Sequence, residues 1–184
     1  MKGRNMTRWR DPAKDPRQEH KTDLITPEGF QRMRSLYEHL RYERRPLISQ
    51  KVAEAAAQGD RSENADYTYN KRELNRTLSR IRYLGKRLEA LKVVDRLPAQ
   101  RDRVFFSAWV TLENLDSDTE EELNIRIVGP DETDNKQHWI SIDAPLARAL
   151  LGKTLDDEVT VQTPEGARIW LITDIKYATS EDTP

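Results

Sequence analysis

From residue 26 to residue 57, apolar side chains recur every three or four positions, the spacing of one face of an α-helix. Thr26 is predicted to cap this helix and Pro27 to fill its first position, where the missing N–H is not needed. The inward positions are Phe30, Met33, Tyr37, Leu40, Ile48, Val52, Ala55 and Ala56. Pro46 stands between the two groups, and we expect it to kink the helix or interrupt its hydrogen bonds locally.

A second, more regular helix is predicted between Ala65 and Val94, which at a rise of roughly 1.5 Å per residue gives a length of about 45 Å. Its inward positions alternate steps of three and four over more than three heptads. They are Tyr67, Asn70, Leu74, Thr77, Ile81, Leu84, Leu88 and Leu91. Because a short turn at Gly59 joins the helices, we predict an antiparallel coiled-coil hairpin. A coiled coil that dimerises is the alternative.

After Pro98 the period changes to two, the alternation of half-buried β-strands. The alternating apolar positions are Val104, Phe106, Ala108, Val110 and Leu112, then Leu123, Ile125 and Ile127, then Ile140 and Ile142, then Val159 and Val161, and finally Ile169, Leu171, Thr173 and Ile175. Asp143 is predicted to cap a short helix that Gly152 ends. This half is therefore a small, mostly antiparallel sheet with one helix.

The predicted fold class is α+β, with three parts along the chain. Residues 1–23 form a disordered polar tail, residues 24–96 the hairpin with an acidic turn, and residues 97–184 the sheet domain. Charge is also unevenly distributed, since the net charge of −1 is the sum of +3 over residues 1–25, +5 over residues 26–95 and −9 over residues 96–184. A basic middle and an acidic end suggest that the two domains have different partners.

Several classes of function are excluded or disfavoured by composition. The chain has no cysteine, which excludes disulfides, thiolate metal sites and a cysteine nucleophile. Its three histidines lack metal-ligand spacing, and no apolar run approaches the roughly 20 residues of a membrane span. No secretory signal, glycine-rich phosphate loop or serine-elbow motif is present. We expect a cytoplasmic protein without a self-contained enzyme site.

The turn between the helices carries the candidate chemistry, in the string GDRSENADY at residues 59–67. Asp60 and Glu63 have the spacing of a helix capping box, which is the structural interpretation. The functional interpretation is an exposed carboxylate pair able to bind a hard cation such as Mg²⁺, which takes only one or two protein carboxylates. A hairpin would present such a pair at its end.

The second predicted helix also carries a row of arginines with one tyrosine among them. At 100° per residue, five side chains fall within an arc of about 80° away from the apolar seam; these are Arg72, Arg76, Arg80, Tyr83 and Arg87. Such a row suits a single-stranded nucleic acid backbone, although a solvated flank of a coiled coil is the alternative. The remaining aromatic residues are predicted to be core: Phe105, Phe106, Trp109, Trp139 and Trp170.

Five strings together resemble the bacterial Gre transcript cleavage factor family. They are LITPEGFQRMRSLYEHL (residues 24–40), GDRSENADYTYNKREL (59–74), RIRYLGKRLEALKVVD (80–95), RVFFSAWVTLEN (103–114) and ISIDAPLARALLGK (140–153). The turn string resembles the GreB branch of the family more than the GreA branch. The resemblance implies an N-terminal coiled coil, an FKBP-like C-terminal domain and bacterial RNA polymerase as the partner.

Roles for particular residues follow from the same resemblance. It implies that Asp60 and Glu63 help to hold a second Mg²⁺ at the polymerase active site, with Ser62 and Asn64 as supporting residues of the turn. It also implies that the basic patch that contacts extruded nascent RNA falls on the arginine row, and that docking to the polymerase falls on Ile142, Asp143 and Pro145. Ala144 departs from the small hydroxyl residue usual in GreB.

The function expected from these observations is a monomeric elongation factor that enters the polymerase secondary channel. It would stimulate the polymerase's own cleavage of backtracked RNA 3′ ends, and would not be an enzyme by itself. Two alternatives are a Gre-like regulator that binds the channel without promoting cleavage, and an FKBP-like prolyl isomerase or chaperone.

Overall fold

The computed structural model describes residues 21–57, 64–116, 121–164 and 166–177. Its helices are α1 (Pro27–His39), α2 (Arg45–Ala57), α3 (Ala65–Ala90) and α4 (Pro145–Leu150). Its strands are β1 (Leu24–Ile25), β2 (Lys92–Val93), β3 (Ala108–Asn114), β4 (Glu122–Val128), β5 (Trp139–Ser141), β6 (Glu158–Thr163) and β7 (Gly166–Tyr177). The predicted mixture of helices and strands is confirmed, whereas Asp60, Ser62 and Glu63 lie outside the described residues.

The first predicted helix consists of two α-helical segments joined by a π-helical turn. Thr26 caps α1 as predicted, since its side-chain oxygen accepts a hydrogen bond from the Gly29 N–H at 3.1 Å. Residues Leu40–Arg44 form the π-helical turn, in which the Arg45 N–H donates to the Leu40 carbonyl. Pro46 explains this wider turn, because proline lacks an N–H and its ring crowds the carbonyl four residues earlier. The expected disturbance at Pro46 is therefore a local rewinding of the helix.

The helical segments α1 and α2 pack antiparallel against α3. Near the α2 end, the Asn64 side-chain amide donates to the Ala55 carbonyl at 2.8 Å; midway, Arg44 and Glu73 form a salt bridge at 2.7 Å. At the other end, apolar side chains meet in a cluster of Ile25, Met33 and Leu84, surrounded by Phe30, Tyr37, Leu40, Tyr83, Leu88 and Leu91. The predicted inward faces are thus the packed faces.

The second helix ends earlier than predicted. Leu91 caps α3 in an extended conformation, and the next two residues form β2, which pairs in parallel with β1. The Lys92 N–H donates to the Asp23 carbonyl at 2.6 Å, and the Val94 N–H donates to the Ile25 carbonyl at 2.9 Å. These bonds to a segment far away in sequence replace the next helical turn.

The C-terminal half forms a curled five-stranded sheet in the order β5-β4-β3-β7-β6. Neighbours are antiparallel except β4 and β5, which run parallel, so the predicted mostly antiparallel sheet is confirmed. One sheet face and α4 enclose a core that is buried almost completely, built from Val104, Ala108, Val110, Leu112, Ile125, Ile127, Ala147, Leu150, Val159, Val161, Trp170 and Ile172. No helix among the described residues is long and apolar enough to cross a membrane.

The short helix of the sheet domain begins one residue later than predicted. Ala144, with φ −67° and ψ 147°, caps α4 without a side-chain hydrogen bond, so the prediction that Asp143 is the cap is wrong. Pro145 explains the shift, because a proline disfavours helical geometry in the residue before it and suits the first helical position. Gly152 follows α4 with φ +80°, a left-handed conformation that favours glycine, as predicted.

Candidate functional site: the helical pair and its joint with the sheet

Asn64 closes one end of the helical pair. Its side-chain oxygen accepts a hydrogen bond from the Tyr67 N–H at 2.9 Å and so caps α3, while its amide donates to the Ala55 carbonyl of α2. One side chain therefore ties the end of α2 to the start of α3. The predicted acidic pair, Asp60 and Glu63, lies in sequence between these two ends and outside the described residues.

Three arginines of the predicted row are exposed on α3: Arg72, Arg76 and Arg80, here called the cationic row. The side chain of Arg76 is 78% exposed. Glu73, an acid on the same helix, points to the other helix, since its carboxylate lies 2.7 Å from Arg44 and 3.9 Å from Arg76. The row therefore keeps most of its positive charge available to a ligand.

Arg87 belongs to the predicted row by its helical phase, but unlike the other three arginines it is not exposed. Its side chain is only 14% exposed, and its guanidinium donates to Asp131 and to Asp23 at 2.7 Å each and to the Thr22 carbonyl at 3.0 Å. Burial disfavours the charge, but these hydrogen bonds outweigh burial and raise the pKa of Arg87 above its ordinary value. Arg87 is thus a part-buried anchor between the helices and the sheet domain.

Tyr83, the aromatic residue of the predicted row, is bonded to the same carboxylate as Arg87, that of Asp131. Its hydroxyl donates to Asp131 and accepts from Lys21, and the Arg80 guanidinium lies 5.3 Å from its ring centroid. Burial, together with the neighbouring Asp131 carboxylate, raises the pKa of Tyr83. Its hydroxyl therefore belongs to the anchor around Asp131.

Glu132 makes the second anchor between the domains. It is 6% exposed, and its carboxylate accepts hydrogen bonds from the Thr26 N–H at 3.0 Å, the Gly129 N–H at 3.1 Å and the Thr26 hydroxyl. A Cβ at Gly29 would lie 1.9 Å from the Glu132 carboxylate, so the first turn of α1 needs glycine there. Glycine in the first turn of a helix was the one sequence signal that could have indicated this contact.

The predicted docking residues lie together on the connection between β5 and α4. The Asp143 carboxylate accepts from the Thr22 N–H at 3.0 Å and from the Thr22 hydroxyl at 2.5 Å. Ile142 packs against the sheet core, and Pro145 is exposed at the start of α4. The predicted docking segment is therefore also bonded to the residues that precede β1.

These contacts correct the predicted boundary of the polar tail. The predicted disordered tail includes residues 21–23, but Thr22 bonds Asp143 and Asp23 bonds Arg87. They therefore belong to the joint between the domains, which we define as Thr22, Asp23, Thr26, Tyr83 and Arg87 on the helical side and Asp131, Glu132 and Asp143 on the sheet side. Residues 1–20 of the predicted tail lie outside the described residues.

Two tryptophans predicted to be core instead flank a buried cation beside the joint. Arg126 is 7% exposed, with its guanidinium 5.7 Å from the Trp109 ring centroid and 5.0 Å from the Trp139 ring centroid. The Arg32 guanidinium of α1 lies 4.9 Å from the same Trp139 centroid. Both tryptophans and Phe105, likewise predicted to be core, are half-buried, whereas Phe106 and Trp170 are core as predicted. Stacked aromatic and guanidinium groups thus extend the contact between α1 and the sheet.

Comparison with known proteins agrees with this two-part architecture. The family model "Transcription elongation factor, N-terminal" matches residues 23–93, and "Transcription elongation factor, GreA/GreB, C-term" matches residues 99–177. Transcription elongation factor GreB of Pseudomonas aeruginosa is 52% identical over 172 residues, covering 94% of this chain and 98% of that protein. GreB of Yersinia pestis is 52% identical over 165 residues, covering 89% of this chain and 95% of that protein.

Among solved structures, GreA factor homolog 1 of Thermus thermophilus matches with a TM-score of 0.39 at 24% identity, covering 83% of this chain and 97% of that chain. The two family models together span most of the sequence, and the relatives cover nearly all of it at about half identity. The chain therefore belongs to the GreA/GreB family of transcription elongation factors and is similar to GreB.

Proposed function

We propose that this transcription elongation factor acts on RNA polymerase by stimulating the polymerase's own cleavage of backtracked RNA 3′ ends, which rescues arrested complexes. It is not an enzyme by itself in this proposal. The observation that carries the proposal is the exposed cationic row on a helix that leads to the acidic pair at residues 60 and 63. A carboxylate pair lacks the other ligands of a two-metal site, so its chemistry requires a host.

In this proposal the helical pair is a coiled-coil hairpin that enters the polymerase secondary channel. The helix α3 alone has 26 residues, which corresponds to a length of about 39 Å. The sheet domain, FKBP-like in fold, docks at the rim of the channel through Ile142, Asp143 and Pro145. The joint supports this division of labour, because its buried anchors hold a docking domain against the base of a long helical probe.

Asp60 and Glu63 would hold a Mg²⁺ jointly with the polymerase, and carboxylate oxygens are the ligands that this hard cation prefers. When bound, the cation would supply the activation of the attacking water. Asn64 would support the turn, a role that is favoured by its hydrogen bonds to the ends of α2 and α3. Ser62 is assigned the same supporting role.

A prolyl isomerase or chaperone built on the sheet domain is less well supported. A cavity of about 220 Å³ lies at the joint, lined in part by Arg32, Arg80, Asp131 and Asp134. None of the residues lining that cavity is aromatic. Its walls combine charged side chains with Met33, Leu36 and Leu84, so this cavity is not the aromatic-lined pocket that would favour the alternative.

A stalled, backtracked elongation complex with labelled RNA tests the proposed function directly. We expect the purified protein to shorten the RNA from its 3′ end and to restore extension when nucleotides are added. The chain alone should leave free RNA intact, because the reaction belongs to the polymerase. Slower RNA synthesis without any shortened product would instead indicate a regulator that occupies the channel.

The cationic row makes a second prediction about RNA contact. The double variant Arg72→Ala, Arg76→Ala should lower the salt dependence of RNA engagement by about 1.4 in log–log slope, at roughly 0.7 per phosphate contact on a single strand. Cleavage of deeply backtracked complexes should fall more than cleavage of complexes that have moved back by a few nucleotides. Hairpin stability should change little, since exposed charges contribute little to it.

A charge-matched control for this variant lies on the other helix. Arg45 and Lys51 are exposed on α2, and the variant Arg45→Ala, Lys51→Ala removes the same charge from outside the row. Crosslinking and cleavage at two salt concentrations compare the two double variants. An identical salt slope in both variants would show that the cationic row is a solvated helix flank and not an RNA contact.

A further inference from the structure

Tyr69 is an exposed aromatic residue on the same face of α3 as the cationic row. It is 67% exposed, although burial of a tyrosine ring usually contributes to stability. At 100° per residue, Tyr69 falls inside the arc of about 80° that contains Arg72, Arg76 and Arg80. It lies nearest to the start of α3, so it is the member of this face closest in sequence to the acidic pair.

Other tyrosines of α3 have partners that explain their positions. Tyr67 accepts a hydrogen bond from Lys71 at 3.4 Å, and Tyr83 is bonded to Asp131 in the joint. Tyr69, in contrast, makes no hydrogen bond, ion pair or ring contact with any other residue in the described part of the chain. Folding of the helical pair therefore gives no reason for an aromatic ring at this position.

A free aromatic ring among arginines is the arrangement that single-stranded nucleic acid sites use. Arginines hold the phosphate backbone, and an aromatic side chain stacks on a base, whatever its identity, because every base has a π-face. We propose that Tyr69 stacks on a base of the extruded single-stranded RNA whose phosphates the cationic row contacts. This inference rests on the proposed function and adds to it a base-contacting residue beside the acidic pair.

Stacking at Tyr69 has a consequence that phosphate contacts alone do not have. Sequence preference at stacking sites follows the stacking strength of the base. Complexes with a purine at the contacted position of the extruded segment should therefore respond better to the factor than complexes with a pyrimidine there. Arginine contacts to phosphate carry no sequence information of that kind.

Four variants separate the ring from the other properties of the residue. Tyr69→Phe keeps the ring and removes the hydroxyl, Tyr69→Leu keeps an apolar side chain without a ring, and Tyr69→Ala removes both. Tyr42→Ala is the matched control, because Tyr42 is 66% exposed but lies in the π-helical turn of the other helical segment. Tyr69 and Tyr42 are both exposed, so we expect each variant to fold.

The full-length variants are assayed with backtracked complexes that differ only in purine or pyrimidine content of the extruded segment. At subsaturating factor, Tyr69→Ala and Tyr69→Leu should lose on the order of ten-fold in cleavage rate and lose the purine preference. Tyr69→Phe and Tyr42→Ala should behave like the unmodified chain. Equal rates and preferences for Tyr69→Ala and Tyr42→Ala would overturn the proposal.

Photocrosslinking from a thio-substituted base in the extruded segment provides a readout that does not depend on cleavage. We expect a crosslink to α3 that Tyr69→Ala and Tyr69→Leu abolish and Tyr69→Phe retains. If the unmodified chain gives this crosslink without stimulating cleavage, the proposed function fails while the RNA contact stands. A crosslink that is unchanged in Tyr69→Ala contradicts stacking, even in a chain that stimulates cleavage normally.

Discussion

Asp60→Asn and Glu63→Gln should each reduce cleavage stimulation on the order of 10²-fold or more and leave polymerase binding close to that of the unmodified chain. Each change is nearly isosteric, but an amide is a much weaker ligand for a hard cation than a carboxylate. Binding should persist because docking is assigned to the sheet domain. Rates of RNA shortening in a backtracked complex, measured beside affinity for the polymerase, separate the two effects.

Asp66→Asn is the matched control for these variants. Asp66 is an exposed acid in the first turn of α3, three residues after Glu63, so its replacement removes the same charge near the same helix end. Loss of its interaction with the helix dipole is expected to change stability by only about 0.3–1 kcal/mol. If all three variants lose activity equally, general negative charge near the turn explains the effect, and the assignment of Asp60 and Glu63 as metal ligands fails.

Glu132→Ala should lower the free energy of unfolding by about 3 kcal/mol. The buried carboxylate accepts hydrogen bonds from the Thr26 N–H, the Gly129 N–H and the Thr26 hydroxyl. Alanine leaves these donors buried without a partner, and each unsatisfied group costs about 1–3 kcal/mol before relaxation. Urea unfolding measures the loss, and faster amide exchange at Thr26 and Gly129 would locate it.

Glu158→Ala removes the same side chain from an exposed position at the start of β6 and should change stability by less than about 0.5 kcal/mol. Equal losses in Glu132→Ala and Glu158→Ala would show that the Glu132 anchor contributes nothing specific. The joint also orients the helical pair relative to the sheet. We therefore expect Glu132→Ala to reduce the maximal cleavage rate as well, while polymerase affinity remains.

The helices and their packed faces could be predicted because their signals are local. A spacing of three and four residues places Met33 and Leu84 on inward faces, and both side chains are buried between the helices. Thr26 and Pro27 define the start of α1 through the requirements of a single helical turn. The alternation in β3 likewise predicts which of its side chains face the core, since Ala108, Val110 and Leu112 are buried. In β7 the predicted alternation is wrong, because Trp170 and Ile172 are the buried residues whereas Thr173 is exposed; consecutive apolar residues at 170–172 allow either face. The alternation also does not indicate the irregularity in the pairing of β3 and β7 between Thr111 and Leu112.

The candidate site could be predicted only where the position of a residue on its own helix decides whether its side chain is exposed. Arg72 and Arg76 are exposed because nothing else in the described chain covers that part of α3. Arg87 has the same helical phase and the same residue type, yet Asp131 and Asp23 bury it. Helical phase gives an angle around an axis and contains no information about which distant loop packs at a given height along it.

The sequence alone therefore determined the helical pair, the strands of the sheet domain and the family, all of which depend on neighbouring residues or on strings of them. Tertiary structure decided that Asp131 and Glu132 anchor the helices, and that Thr22 bonds Asp143. In these contacts the partners are separated by 44 to 121 residues along the chain. Contacts between such distant residues form only when the two domains pack together, because a carboxylate that is buried by this packing needs hydrogen-bond donors from the opposite surface.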